Sequence, residues 1–234
     1  MSGGRTSFLK DFWIFSNTSF NPFNMQSAQE QSVLTPDKVI EILQQGNGDF
    51  INNRLTVKNT VERVRHAAAG QYPAAVILSC LDSRVPVEDI FHCGIGDIFV
   101  ARVAGNIINP DILGSMEYAC KISGARLIVV MGHGDCGTIK LAINRSAFGN
   151  FTGLLHKIKP AINQAQASFQ GDASSSNPDF VDAVCRINVK LMVNEIRKDS
   201  PMLKEMEDQG EIKIVGAIYD IHCGKVEFDL PKSM

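Results

Sequence analysis

Apolar positions along the chain fall into two recurring patterns: short uninterrupted runs, and longer stretches with helical spacing. An uninterrupted run of about five apolar residues predicts a strand that is buried on both faces, as in a parallel sheet. Such runs predict strands at residues 74–78 and 127–131, and further strands are predicted at residues 97–103, 212–219 and 225–228. A turn at Cys223 and Gly224 is predicted to join the last two.

The stretches between these runs carry the signals of helices. Thr35, Pro36 and Asp37 form a strong helix start, because Thr caps the first turn, Pro suits its first position and Asp favours its positive end. Gly46 is predicted to end this helix. The other helices are predicted at residues 61–69, 109–123, 138–144, 151–169 and 179–198, with a short one after residue 201.

The alternation of strands and helices predicts an α/β fold, in which a mostly parallel β-sheet is flanked by helices. The length of 234 residues suits one well-buried domain of this class, which we place at residues 35–234. Ligand sites in such sheets lie beyond the carboxyl ends of the strands. Functional side chains are therefore expected where the predicted strands end.

The composition argues against some classes of function. A formal net charge of −2 is not typical of nucleic-acid-binding proteins, which usually carry an excess or a stripe of basic residues. No uninterrupted apolar run of roughly 18 residues is present, so no membrane-spanning helix is predicted. Six cysteines without a tight framework, in a domain that does not need disulfides, favour reduced thiols and a cytoplasmic location.

Residues 1–34 are predicted to form an N-terminal arm outside the domain. The segment is rich in aromatic side chains and poor in charges, which is unusual for a disordered tail. An arm that packs on a partner subunit and a loosely ordered tail fit this composition equally well. Organellar targeting is a third alternative, whereas interruptions by polar and charged residues argue against a secretory signal.

The first candidate chemistry is a metal site formed by Cys80, His133 and Cys136. Cys80 follows the first predicted strand, and the other two residues follow the third strand within a glycine-rich turn. We expect Cys136 in the first turn of the next helix, where the helix dipole lowers a thiol pKa. Two thiolates and one imidazole suit zinc, and three protein ligands with one open position are typical of a catalytic zinc site.

Asp82 and Arg84 lie beside the first of these ligands. In an extended segment Asp82 points to the same side as Cys80, two residues earlier. Arg84 can hold Asp82 through paired, charge-assisted hydrogen bonds that keep the carboxylate ionised and fix its direction. Each residue alone is more often structural than functional, and it is their joint occurrence at two strand ends that indicates a site.

The remaining cysteines are interpreted as structural residues. Neighbours on an extended chain point to opposite faces, so an adjacent His-Cys pair chelates a metal poorly. Such pairs are His92-Cys93 and His222-Cys223. Cys120 and Cys185 lie among apolar residues on predicted helices.

The candidate site residues stand in two motifs that resemble those of the β-class carbonic anhydrases. The motifs are Cys80-x-Asp82-Ser83-Arg84 and His133-x-x-Cys136-Gly137, with signature-like segments at 96–106 and 113–119 between them. The resemblance covers residues 36–228. It implies an α/β zinc enzyme that converts carbon dioxide and water to bicarbonate and a proton, assembled as a homodimer or homotetramer. In this family the N-terminal helices commonly reach onto the partner, which favours the partner-packing arm.

The resemblance assigns catalytic roles to Asp82 and Arg84, with Zn²⁺ held by Cys80, His133 and Cys136. Zinc lowers the pKa of bound water from about 15.7 to about 7, so that hydroxide is available to attack carbon dioxide. Asp82, held by Arg84, is expected to orient this zinc-bound hydroxide. In some family members the aspartate instead leaves the arginine and becomes a fourth zinc ligand in a closed, inactive site. The motif is compatible with both states.

Two other functions stay open at this point. A zinc enzyme on the same scaffold could hydrolyse carbon disulfide or carbonyl sulfide, depending on pocket access and assembly. A non-catalytic zinc-bearing scaffold is the other alternative, which the presence of both Asp82 and Arg84 disfavours.

Overall fold

The structure is a computed structural model that describes residues 27–229. The strands are β1 (Ala75–Ser79), β2 (Ile98–Arg102), β3 (Leu127–His133), β4 (Lys213–Tyr219) and β5 (Val226–Asp229). The helices are α1 (Ala28–Ser32), α2 (Pro36–Ile51), α3 (Val61–Ala67), α4 (Val87–Ile90), α5 (Pro110–Glu117), α6 (Gly137–Ile143), α7 (Phe151–His156), α8 (Lys159–Ser168), α9 (Pro178–Asp199) and α10 (Pro201–Asp208). A 3₁₀ turn covers Ala104–Asn106, and a π-helical turn at Tyr118–Ile122 continues α5.

The five strands form one sheet in the order β2-β1-β3-β4-β5. The first four are parallel, and β5 is antiparallel to β4. The predicted α/β class with a mostly parallel sheet is therefore confirmed. In the β1–β3 register Ser79 lies beside Met131, so Cys80 and His133 leave the sheet at the same edge.

Helices cover both faces of the sheet, and alternate residues of each central strand enter different cores. On β3, Ile128 and Val130 pack into the larger core, which also contains Phe180 of α9. Leu127 and Val129 face the smaller core, which the first helices of the domain help to cover. A strand enclosed in this way has no polar face, which explains its uninterrupted apolar run.

The first predicted helix extends beyond Gly46 and ends at Ile51. The predicted start is correct, with Thr35 accepting the Lys38 N–H through its hydroxyl. The helix continues because its last turns are buried by tertiary contacts. The Asn47 amide donates to the carbonyls of Ile90 and Gly224, at 3.2 and 2.8 Å.

The single helix predicted at 151–169 is in fact two helices, α7 and α8. Pro160 lies in the first turn of α8. A proline inside a helix removes one backbone donor and clashes with the carbonyl four residues earlier, here that of His156. The chain therefore ends one helix and starts another.

The described part of the predicted N-terminal arm, residues 27–34, lies against the domain. Gln31 of α1 is buried and donates through Nε2 to the carbonyls of Pro73 and Ser123, at 2.9 and 2.7 Å. The rest of the arm, residues 1–26, lies outside the described residues, and its packing on a partner stays a prediction. Within residues 27–229, no helix has both the length and the apolar character needed to cross a membrane.

Candidate metal centre

The three predicted metal ligands converge in one buried cluster. The Sγ atoms of Cys80 and Cys136 and a ring nitrogen of His133 all lie within 4.8 Å of one another. The two sulfurs are 3.9 Å apart. All three residues are at most 2% exposed, so their donor atoms face one another and not solvent. The common sheet edge of β1 and β3 brings these distant segments together.

The backbone fixes the orientation of the His133 ring. Its Nδ1 lies 2.8 Å from the carbonyl oxygen of Gly134, which can only accept, so Nδ1 carries the proton. The lone pair of Nε2 is then free to bind a metal. Nε2 is buried and has no hydrogen-bond partner among the described residues. A buried ring nitrogen without a partner, facing two thiols, is the arrangement that a metal ion would satisfy.

The contact between the two thiols shifts their pKa values in opposite directions. The two sulfurs lie 3.9 Å apart and either can donate, and this contact lowers the pKa of the Cys80 thiol. The same contact, together with burial, raises the pKa of Cys136. Cys136 is the N-cap of α6 and does not lie in its first turn. The expected lowering of the Cys136 pKa is therefore not found in the metal-free pair.

The 3₁₀ turn after β2 adds a backbone donor to the Cys80 sulfur. The Gly105 N–H points at Cys80 Sγ at 3.4 Å. Gly105 has a φ of +71°, and a Cβ at this position would lie 2.8 Å from Ile158 Cδ1. The buried Asn188 of α9 donates to the Gly105 carbonyl at 3.0 Å and so holds the turn. Glycine is needed here both for the conformation and for the close approach.

Arg84 binds Asp82 through one edge of its guanidinium group and through its backbone N–H. Arg84 Nε donates to Asp82 Oδ1 at 3.0 Å and Nη2 donates to Oδ2 at 2.8 Å, while the Arg84 backbone N–H also reaches Oδ1 at 2.9 Å. These bonds lower the pKa of Asp82 to about 2. Oδ2 lies 3.8 Å from His133 Nε2. The carboxylate is therefore ionised, directed and next to the triad.

The motifs did not identify three further residues that contact this arrangement: Arg102, Asp135 and Lys140. Arg102, at the end of β2, donates to the backbone carbonyls of Cys80 and Asp82 and holds the segment that bears both. Asp135, inside the His133–Cys136 turn, contacts Arg84 and Lys140. A basic residue ending the strand beside Cys80 is a sequence signal for Arg102. The contacts of Asp135 with Arg84 and with Lys140 have no such signal.

The cysteines interpreted as structural lie outside the cluster. Burial raises the pKa of Cys120 and of Cys185 to about 12, and it raises the pKa of Cys93 as well. Cys185 still touches the site from behind, because its thiol donates to the His133 carbonyl at 3.3 Å. Cys223 is exposed and donates to Asp220.

Comparisons with known proteins bear on this site. A family model described as carbonic anhydrase matches residues 75–226, which is more than half of the chain. The crystal structure of the β-carbonic anhydrase CafA of Aspergillus fumigatus matches with a TM-score of 0.65 and 27% identity, covering 74% of this chain and 82% of that one. The chain belongs to the β-class carbonic anhydrase family. The family and enzyme class predicted from the sequence are thus confirmed.

Further comparisons agree with this family assignment. Carbonic anhydrase 2 of Mycobacterium tuberculosis is 32% identical over 189 residues, covering 78% of this chain and 87% of the relative. One of two β-carbonic anhydrases from Sordaria macrospora, described as tetrameric, shares the fold with a TM-score of 0.63 at 21% identity. That match covers 84% of this chain and 99% of the Sordaria chain.

Proposed function

We propose that the chain binds one Zn²⁺ through Cys80, His133 and Cys136 and catalyses the reversible hydration of carbon dioxide to bicarbonate and a proton. The observation that carries the proposal is the buried, unpartnered Nε2 of His133, which faces two cysteine sulfurs. Two soft sulfurs and one imidazole fit zinc better than the oxygen-loving magnesium or calcium ions. Three ligands also leave a fourth position for a reacting molecule.

Zinc, when bound, makes water acidic enough to supply a nucleophile near neutral pH. The chain's own contribution is orientation. Asp82 is kept ionised by Arg84, so its Oδ2 can only accept a hydrogen bond. An O–H group of a metal-bound water could then donate to Asp82, which would fix the direction of its remaining lone pairs. Arg102 supports this role by holding the backbone of the Cys80–Asp82 segment.

A stopped-flow assay with a pH indicator tests the proposal on purified, zinc-replete protein. We expect about one zinc per chain and carbon dioxide hydration well above the buffer rate. Asp82→Asn should keep the zinc and lose most of the turnover, by roughly 10- to 100-fold, the range for a residue that orients groups at a metal site. Asp208→Asn, which removes an exposed carboxylate on α10, is the matched control and should leave the rate unchanged.

Zinc-replete protein without a rate above buffer would refute the proposed reaction. The same samples can be assayed with carbon disulfide and carbonyl sulfide. Turnover of these two and not of carbon dioxide would favour the alternative hydrolase.

We also propose that the chain assembles into a homodimer or a homotetramer. Among the described residues, Tyr118 and Ile122 are 51% and 72% exposed near the sheet edge formed by β2. Tyr118 contacts Phe99 of this edge strand, with ring centroids 6.3 Å apart. Apolar surface beside an open strand edge favours association. Light scattering coupled to gel filtration should give a mass of at least two chains, and a monomer at all concentrations would contradict this proposal.

A further inference from the structure

Asp135 links the two segments that carry the metal ligands. It lies between His133 and Cys136 with a φ of +54°, a conformation that few non-glycine residues adopt. Its Oδ2 accepts from Arg84 Nη1 at 3.4 Å and its carbonyl oxygen accepts from Arg84 Nη2 at 3.2 Å. Its other carboxylate oxygen accepts from Lys140 of α6. Arg84 is therefore held between Asp82 on one side and Asp135 on the other.

A second attachment adds to the orientation of Arg84. Its side chain is 48% exposed, so water and salt compete with its paired hydrogen bonds to Asp82. The guanidinium is planar and rigid, so contacts at two of its edges orient it far better than contacts at one. Nε and Nη2 donate to Asp82, while Nη1 and Nη2 donate to Asp135.

The Asp82 carboxylate also lies close to the candidate metal ligands. Its Oδ2 is 3.8 Å from His133 Nε2, which has no hydrogen-bond partner among the described residues. A carboxylate oxygen is also a common zinc ligand. If Arg84 loosens its hold, a rotation of the Asp82 side chain brings this oxygen into the space that the three ligands face.

We propose that Asp135 is a positioning residue: by fixing Arg84, it keeps Asp82 out of the fourth metal position. The proposal rests on the proposed metal site. It does not depend on which reaction the site catalyses, because its test measures access to the metal and not turnover.

Azide binding to the Co²⁺-loaded protein, followed through the visible absorption of cobalt, tests this proposal. Azide needs the open metal position, so Asp82 competes with it. Asp135→Asn should weaken azide binding by about two- to fivefold, the size expected from losing an exposed ion pair. Loss of one negative charge near the metal would by itself strengthen azide binding, so the two effects have opposite signs.

Asparagine keeps the size of the side chain and tolerates the positive φ, and Asp135→Gly provides a second variant without backbone strain. The decisive comparison repeats Asp135→Asn in an Asp82→Ala background. No carboxylate is then available to compete, and azide binding should not weaken. Asp208→Asn is the control for a remote exposed carboxylate and should bind azide like the wild type.

Unchanged or stronger azide binding in both Asp135 variants would overturn the proposal. Equal weakening with and without Asp82 would overturn it too, since Asp82 would then not be the competitor. If the wild-type cobalt protein binds no azide, Asp82 is not kept out of the fourth metal position, and the proposal is wrong. The expected azide pattern in a protein that does not hydrate carbon dioxide would uphold the positioning role while refuting the proposed reaction.

Discussion

Five of the six cysteines are buried, yet only Cys80 and Cys136 share a cluster with an imidazole within residues 27–229. Burial alone raises the pKa of a thiol, as it does for Cys120. The pKa of Cys80 is lowered instead, by its contact with Cys136 and by the Gly105 N–H, which donates to its sulfur. At the scale of single residues, a nearby imidazole and a second sulfur therefore separate the candidate ligand cysteines from the structural ones.

Removing one ligand should abolish metal binding, because two donors bind zinc much more weakly than three. We expect Cys136→Ala to contain no zinc after dialysis, measured by mass spectrometry of the metal. Cys93→Ala is the matched control, since Cys93 is equally buried but lies in the smaller core. It should retain one zinc per chain and lose about 1 kcal/mol of stability from the small cavity. Zinc loss in the control alone would overturn the ligand assignment.

Thiol reactivity should follow exposure. Cys223 is the exposed cysteine of the chain, whereas burial raises the pKa of Cys120 and of Cys185 to about 12. The thiolate is the reactive form, so these two should be inert at neutral pH. Native, zinc-loaded protein should react rapidly with iodoacetamide at one site per chain, and peptide mapping should locate it at Cys223. Cys223→Ser should remove this reaction, and rapid labelling of Cys120 would contradict the prediction.

At the scale of elements, helix α9 lies tightly on the neighbouring strands β3 and β4. A Cβ added to Gly132 of β3 would lie 2.7 Å from both Cys185 Sγ and Val189 Cγ2. A Cβ on Gly216 of β4 would lie 2.7 Å from Val189 Cγ1. Glycine on each strand thus lets the helix approach the sheet, and Cys185 thereby reaches the His133 carbonyl.

This close approach predicts opposite effects for two glycine substitutions. Gly216→Ala should destabilise the protein by about 1–3 kcal/mol, because the added methyl group overpacks the contact with Val189. Gly114→Ala, in a helix with no atom within 4 Å of the new Cβ, should stabilise it by about 0.5–1 kcal/mol. Urea unfolding measures both. Val189→Ala should reduce the cost of Gly216→Ala, and an equal cost in both backgrounds would contradict this explanation.

At the scale of the whole molecule, the metal site joins segments that are far apart in sequence. Cys80 follows β1, while His133 and Cys136 lie at the end of β3 and just beyond it. A metal bound only by the folded chain stabilises the fold by mass action. A bound metal would therefore cross-link the ends of β1 and β3 and so stabilise the fold, in addition to its role in catalysis.

Chelation should lower the thermal stability of the protein. Zinc at about 1,000 times its dissociation constant contributes about 4 kcal/mol, which corresponds to roughly 8–16 °C for a chain of this size. Differential scanning calorimetry with and without dipicolinate measures the shift. Cys136→Ala should show no chelator effect. A shift of equal size in this variant would mean that the stabilising metal is bound elsewhere.

The sheet is largely predictable from the sequence, whereas helix lengths are less so. Strands such as β3 are buried on both faces and leave uninterrupted apolar runs. The end of α2 is not predictable from Gly46, because contacts of Asn47 with distant carbonyls extend the helix. The short helix α4 has too few residues to show a period.

The sequence by itself determined the α/β class, and it indicated the candidate ligands Cys80, His133 and Cys136 and the Asp82–Arg84 pair. Each depends on residue type and on spacing within one segment, which chemistry constrains directly. Only the tertiary structure decided that the two sulfurs lie 3.9 Å apart and that Asp135 holds Arg84. These outcomes depend on distances between β1, β3 and α6, and local spacing along the chain does not specify such distances.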